Sequence, residues 1–333
     1  MAGIKDAAVI DVHAHAVLAE TMGTAGAHGP ELLTNAQGTP SFRVGTYTLE
    51  GVRYVGSPFM DPALRIKAMD SAGIDVQLLS PNPLTYFHHI DAASALAFCQ
   101  THNDTISAIV RQYPARLGAF AAMPIQDVGA ACEELERCVK ELGLLGAYMG
   151  TDTVRELHHA DMDAFYAKCV ELDVPLFLHP APAGIDGPAG DVNLQSFDLD
   201  VVMGFAAQEA IAVASLIFGE VTQRHPDLDI CLSHGGGSTA YLIGRMAKAG
   251  QKRPWAPQWL KADGAFEAAF AHLWFDNHLN CAESLALLTS IVGDNHLVYG
   301  TNFVGWDAPD QVSGSRPDIK LADNARRLLR VPE

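Results

Sequence analysis

Two histidines separated by one residue, His13 and His15, stand at the end of the short apolar run Val9-Ile10-Asp11-Val12. Side chains alternate along a strand, so positions 13 and 15 project to one side and their imidazoles can close on a single ion, while Val12 and Ala14 pack on the other. Such a pair is a metal clamp built by one strand. Among 14 histidines in 333 residues it gains weight only in company. His179, followed by Pro180, and His234, followed by Gly235-Gly236-Gly237-Ser238, each close an apolar run of their own and supply that company. Neutral imidazoles in this number suit zinc or another borderline divalent ion.

The residues that must position these side chains alternate between apolar strands and helical stretches. Asp61-Pro62 opens a helix that Gly73 ends, ahead of a strand over 76–80. There follow a helix over 92–113, a strand over 117–123, a helix over 127–142 and a strand over 144–149. Next come a helix over 161–172, a strand over 175–178, a helix over 206–224 and a strand over 228–232. A helical region over 238–271 leads to a strand over 273–276, a helix over 282–292, a strand over 296–299 and a last helix near 318–329. Eight strand–helix units predict an α/β fold, a (β/α)8 TIM barrel forming a single domain over residues 1–333. No Gly-x-Gly-x-x-Gly follows the first strand, which argues against a dinucleotide-binding sheet. Residues 16–60, rich in Gly, Thr and Pro and without periodicity, predict a long loop insertion after strand 1. In such a barrel, chemistry sits where strands end at their C-terminal side. His13 and His15 end the first strand, His179 the fifth, His234 the sixth, and Gly300-Thr301-Asn302 the eighth.

Composition narrows the partners. With 49% hydrophobic and 18% charged residues the chain reads as globular. A net charge of −17 repels nucleic-acid phosphates and anionic lipid, so neither nucleic acid nor membrane is an expected partner. No uninterrupted run of about 18 apolar residues and no secretory-type leader are present, which predicts a cytoplasmic protein. Six scattered cysteines without a Cys-x-x-Cys fit a reducing compartment and argue against a thiolate metal site. An anionic small molecule would need local arginines to overcome the overall charge.

The motifs Asp11-Val12-His13-Ala14-His15, Asp61-Pro62-Ala63-Leu64-Arg65-Ile66 with Met69-Asp70, Leu178-His179-Pro180, and Ser233-His234-Gly235-Gly236-Gly237-Ser238 with Gly244-Arg245 make the chain resemble the amidohydrolase superfamily. Within it, the chain is similar to the branch of 2-amino-3-carboxymuconate 6-semialdehyde decarboxylase, which includes aromatic-acid decarboxylases, hydratases and a carbon–carbon bond hydrolase. The resemblance implies His13, His15 and His179 as metal ligands and His234 as catalytic acid/base. It implies Arg53 as a substrate-carboxylate arginine and Arg245 as one that reaches into a neighbouring subunit's site, hence a homodimer. Guanidinium forks suit a carboxylate substrate by their bidentate geometry. The strand-4 stretch Leu144–Gly150 lacks the lysine that bridges two metals in many relatives. One divalent ion is therefore implied, zinc first and manganese as the alternative.

One position departs from the pattern. The family ends strand 8 with an aspartate that serves the metal, and here the residue is Asn302. Its amide oxygen can ligate, which keeps Asn302 among both the metal and the catalytic candidates, yet it accepts no proton and leaves the site one charge more positive. The amide is either the natural residue of an altered chemistry or a substitution of that aspartate. Asp307 is near enough in sequence to replace it, though a loop or helix cap is its commoner fate. Tyr86, Phe87, His89 and Phe303 are candidates for substrate contact, with His88 beside them. Asp276, closing strand 7, reads equally as a partner orienting a ligand histidine and as a cap. These residues predict a metal-dependent decarboxylase without redox cofactor, acting on an unsaturated or aromatic carboxylic acid. The alternatives are a hydrolase or hydratase on the same site, and a non-catalytic binding protein that has lost its strand-8 aspartate. Ion occupancy is expected to fall as pH drops through about 6 to 5, where ordinary histidines protonate.

Overall fold

The computed structural model describes residues 2–308 and 319–331. Its strands are, in chain order, β1 (Ile10–Ala16), β2 (Glu31–Thr34), β3 (Pro40–Val44), β4 (Tyr47–Glu50), β5 (Val76–Pro81), β6 (Leu117–Ala119), β7 (Ala121–Ala122), β8 (Ala147–Gly150), β9 (Leu176–His179), β10 (Ile230–Leu232), β11 (Trp274–Asp276) and β12 (Leu297–Val298). Apart from β2–β4 they pair in parallel, in the orders β1-β5-β6 and β7-β8-β9-β10-β11-β12. The two runs are one ring. At the break between β6 and β7, Phe120 N donates to Leu79 O and Ala121 N to Gly146 O, both at 2.9 Å. At the other seam, Asp11 bridges Tyr299 in parallel and Val12 N donates to Tyr299 O at 2.9 Å. The predicted (β/α)8 barrel is therefore present, its third strand being β6 and β7 bent at Phe120.

Apolar residues sort into two shells, as a barrel wrapped by helices requires. Ile10, Val12, Leu78, Phe120, Tyr148, Phe177, Trp274 and Val298 fill the interior, with the Phe120 and Phe177 rings 4.2 Å apart. Ala14, Leu79, Met149, Leu178, Leu232 and Phe275 face the helix layer. Val12 and Ala14 thus lie on opposite sides, not together as alternation predicts. A register shift between Asp11 and Ala14 explains the difference, since a bulge resets side-chain parity and re-aims the residues beyond it.

Helix boundaries obey local chemistry. Asp61 caps Pro62–Ala72 by accepting from Ala63 N at 2.8 Å, and Gly73 ends that helix with φ 68°. Asp91 and Asp127 cap the next two in the same way. The helix expected over 206–224 breaks at Gly219 and Glu220 into Gly204–Phe218 and Val221–Arg224. Among the described residues, the stretch Leu199–Phe218 has the length and hydropathy to cross a membrane. Here it turns Glu209, Ala212, Val213, Leu216 and Ile217 into the protein and carries a buried carboxylate to the barrel rim. The last helix is seen from Ile319; residue 318 lies outside the described residues.

The segment 16–60 is not the structureless loop its composition suggests. Strands β2, β3 and β4 form an antiparallel sheet, with Phe42 and Val44 buried against Phe87, Phe98 and Ile185. Four- and five-residue strands joined at Gly38 and Gly45 are too short to stand out as a period.

Candidate metal centre

The bulged end of β1 and the ends of β5, β9, β10, β11 and β12 converge on five histidines. His13, His15 and His179 each offer a nitrogen within 4.8 Å of the others, and all three are buried. Their orientation is set from behind. His13 Nδ1 is 2.8 Å from Asp276 Oδ2, His15 Nδ1 is 2.9 Å from Pro81 O, and His179 Nδ1 is 2.6 Å from Pro180 O. Each acceptor fixes the proton on Nδ1, which leaves a lone pair on each Nε2. The Nε2 atoms of His15 and His179 lie 3.3 Å apart, and that of His13 is buried with no hydrogen-bond partner. Two ligands at about 2.0–2.1 Å around a tetrahedral ion are separated by roughly that distance, so the trio fits a divalent ion. Burial drives all three below the ordinary histidine range, His15 to about 3, and so keeps them in the neutral form that metal binding needs.

A second group faces the first. His234, His278 and Asp307 place their ligand atoms within 4.8 Å of one another. The His13 ring is 5.0 Å from that of His234 and 5.7 Å from that of His278. His234 Nδ1 is 3.0 Å from Glu209 Oε1, and Ser233 Oγ donates to the same oxygen at 2.5 Å. Burial works against charge on His234, but the Glu209 carboxylate outweighs it and the imidazole is raised to about 9. Gly237 (φ 61°) permits this contact: a Cβ there would lie 2.3 Å from Ala206 O, so without a side chain at that position the helix Gly204–Phe218 comes close enough to present Glu209.

Beneath both groups runs a buried polar chain. Arg65 Nη2 donates to His15 O and Nη1 to Gln77 Oε1, both at 2.6 Å; Gln77 Nε2 donates to Asp11 Oδ2 at 2.8 Å. Asp11 also receives His13 N, Thr301 N and Thr301 Oγ1, tying the metal-clamp strand to the end of β12. Burial lifts Asp11 to about 6 against these donors.

Of the sequence candidates, His13, His15, His179 and His234 come together as expected, and Asp276 is both things it was weighed as. Its second oxygen accepts from His278 N at 3.1 Å while the first holds His13. Asn302 sits beside them at φ 46°, its Nδ2 donating to Asp307 Oδ1 at 2.5 Å. Asp307 lies in the loop after β12, where this hydrogen bond anchors its carboxylate. Tyr86 lies against His179 with ring centres 6.3 Å apart, and its hydroxyl is buried and unpartnered. His89 pairs with Asp152 at 3.4 Å in the wall of a small cavity that Tyr86, His88, Ile185 and Asp186 also line. His88, placed beside these candidates, is buried and accepts from Gly150 N at 2.8 Å. Phe87 also lines that cavity while its ring packs edge-on against Phe98, and Phe303 lies under the Arg65 guanidinium at 5.4 Å. Arg53 and Arg245 are exposed, and the structure brings neither onto the histidines. Glu209 and His278 escaped the sequence reading. His278 stands two residues past Asp276 and was open to the same strand-end argument. Glu209, inside an apolar helix, offered only the oddity of a carboxylate among alanines.

The Amidohydrolase family model matches residues 10–331. The chain is 29% identical over 252 residues to 2-amino-3-carboxymuconate-6-semialdehyde decarboxylase of Dictyostelium discoideum, covering 75% of this chain and 68% of that protein. It is 32% identical over 190 residues to gamma-resorcylate decarboxylase of Rhizobium sp. (strain MTP-10005), covering 55% of this chain and 58% of that one. A crystal structure of a dihydroxybenzoic acid decarboxylase from Polaromonas sp. JS666, with bound manganese and the inhibitor 2-nitroresorcinol, superposes with a TM-score of 0.73 at 22% identity, covering 97% of each chain. That likeness is one of fold. The family match spans nearly the whole barrel together with the histidine-bearing strand ends, and the chain belongs to the amidohydrolase family.

Proposed function

We propose that this protein is a decarboxylase that uses one divalent ion and no redox cofactor on an unsaturated or aromatic carboxylic acid, in the breakdown of aromatic compounds. The observation that carries the reading is the juxtaposition of three neutral, pre-aimed imidazoles with a fourth held protonated by a buried glutamate. His13, His15 and His179 would hold the ion, with Asn302 at its edge, zinc being favoured by three imidazoles and manganese by the Polaromonas relative. Such an ion supplies Lewis-acid polarisation of a substrate oxygen. His234, charged at neutral pH, gives its proton to the carbon that loses the carboxyl group. That C–C bond breaks, its electron pair stays on the carbon to form the new C–H bond, and CO2 leaves. Glu209 holds His234 in the orientation and charge state for that transfer. Tyr86 and His89 belong to the cavity wall that would meet the substrate.

Arg53 and Arg245 are proposed as the substrate-carboxylate forks, and Arg245 as acting in a second copy of the chain. What supports a homodimer is the helix Thr239–Lys252, where exposed Arg245 shares a surface with Tyr241, 84% exposed. The six free cysteines are consistent with a reducing, cytoplasmic compartment.

The test is CO2 release from a panel of hydroxybenzoic and unsaturated semialdehyde acids by zinc- or manganese-loaded protein in heavy water. Deuterium at the former carboxyl carbon is the expected result. A second reading, hydrolysis or hydration on the same residues, is favoured by the amide at position 302. Products that carry solvent oxygen, with no CO2, would replace the first reading with the second.

A further inference from the structure

The segment after β12 is folded back on itself in a way that decarboxylation by the four histidines does not by itself require. Asn302 and Val304 both take left-handed backbone, at φ 46° and 55°, conformations that cost most residues energy. Gly305 N donates to Asn302 O at 2.7 Å, and a Cβ on Gly305 would lie 2.6 Å from Asn302 Nδ2, so the turn requires glycine there. Its effect is to bring Asp307 back to the rim. The carboxylate is then held from every side: Oδ1 accepts from Asn302 Nδ2, Oδ2 lies 3.1 Å from His278 Nε2, and Asn280 Nδ2 donates to the Asp307 carbonyl at 3.1 Å. His278 and Asn280 come from the end of β11, two and four residues past the aspartate that orients His13.

We propose that Asp307 is the carboxylate of this metal centre, carried five residues beyond the end of β12, and that residue 302 is an amide because it must donate to it. A carboxylate at 302 would meet a second carboxylate at hydrogen-bond distance, with nothing to donate between them. Each Asp307 oxygen has accepted one hydrogen bond and retains a lone pair for an ion or for the protonated His234 beside it. The missing charge at 302 is thus relocated, and the site keeps the anion that three neutral imidazoles lack.

The proposal rests on the reading that His13, His15 and His179 hold a divalent ion, and its test is binding, not turnover. Manganese affinity of the metal-free protein is measured by competition with a fluorescent chelator, with circular dichroism as the check on folding. Asp307→Asn is expected to weaken manganese at least about tenfold, the scale of losing a supporting partner at a metal site. The exchange Asn302→Asp with Asp307→Asn reverses the pair and is expected to return affinity to within about threefold of the parent. Unchanged affinity in Asp307→Asn overturns the proposal, and so does a double exchange no better than Asp307→Asn alone. Should Asp307→Asn fail to fold, His278→Leu releases the carboxylate without removing it; it is expected to weaken manganese similarly, and parent-like binding there overturns the proposal equally. A His13→Ala protein that keeps its manganese would sink the histidine site itself, and that failure is told apart because His13→Ala leaves the hydrogen bond between Asn302 and Asp307 in place.

Discussion

Two histidine clusters share one rim, with the rings of His13 and His234 5.0 Å apart, and they are prepared for opposite work. In the first, burial keeps His13, His15 and His179 neutral, and their Nδ1 protons are tied to two backbone carbonyls and one buried carboxylate. In the second, His234 is partly open, its side chain 16% exposed, and Glu209 behind it is fully buried. A buried carboxylate with one imidazole neighbour transfers its preference for a counter-charge to that neighbour, and His234 is raised to about 9. In the proposed function the same residue type would serve as a ligand or as an acid, according to what stands behind its far nitrogen and how open its near one is.

The sharpest break of that division is in the first cluster. His179→Ala removes one of three convergent nitrogens, and divalent-ion content is expected to fall from near one per chain to below about a tenth of that at micromolar metal, as elemental analysis would read. Glu209 should be unaffected as a partner of His234. Two ions per chain in the parent, or unchanged content in the variant, would end the assignment of the trio.

In the second cluster the largest effect belongs to Glu209→Gln. Loss of the carboxylate lowers the His234 pKa toward the ordinary range, and turnover is expected to fall about 10²-fold, the usual size of an acid/base contribution, while ion content stays at the parent level. A variant that lost its metal instead would make Glu209 a structural member of the first cluster.

Stability should respond to pH in opposite directions for the two groups. His15, ordinary when unfolded and pushed to about 3 when folded, contributes fully above about 6.5 and loses that contribution as pH falls toward 3. His13 and His179 act in the same sense. His234, raised to about 9, contributes fully below about 6.5 and is lost as pH rises through 9. Thermal unfolding of metal-free protein from pH 4 to 10 should therefore give a dome, and His234→Gln should flatten its alkaline side alone. The same burial moves proton competition in the folded site below the pH 6 to 5 window expected of ordinary histidines. Ion loss within that window would then track unfolding.

The barrel was legible because its strands are near-continuous apolar runs and its helices carry Asp caps and a Gly stop, as at Asp61 and Gly73. The four strand-end histidines were legible for the same reason, since the end of a strand is a position sequence can mark. The features that escaped depend on closeness in space. The β1 bulge that separates Val12 from Ala14 comes from pairing with β5, and nothing in Asp11-Val12-His13 announces it. Glu209 reaches His234 because Gly237 lets a helix approach. Asp307 was a candidate by its nearness in sequence, but the turn that returns it to the rim, with two residues in left-handed backbone, was not legible. The β2–β4 sheet escaped because its strands are short and its buried side, Phe42 and Val44, is defined by neighbours far along the chain.

The finest test of the division concerns Ser233. Its hydroxyl and His234 Nδ1 both address Glu209 Oε1, while Oε2 is buried without a partner, so Ser233 supplies one of only two side-chain hydrogen bonds to that carboxylate among the described residues. Ser233→Ala leaves the charge in place and removes one donor. The anion is then less well stabilised, its affinity for a proton rises, and the proton it shares with His234 shifts toward the glutamate. A hydrogen bond to a charged group is worth about 1.5–3 kcal/mol, but the small cavity left by the hydroxyl can admit water and recover part of it. Turnover is accordingly expected to fall by about three- to tenfold, well short of the Glu209→Gln loss, with the alkaline limb of the activity profile moved to higher pH, because the pair holds its shared proton more tightly, and ion content unchanged. A fall as deep as that of Glu209→Gln would mean that orientation by Ser233, and not the charge of Glu209, sets the state of His234.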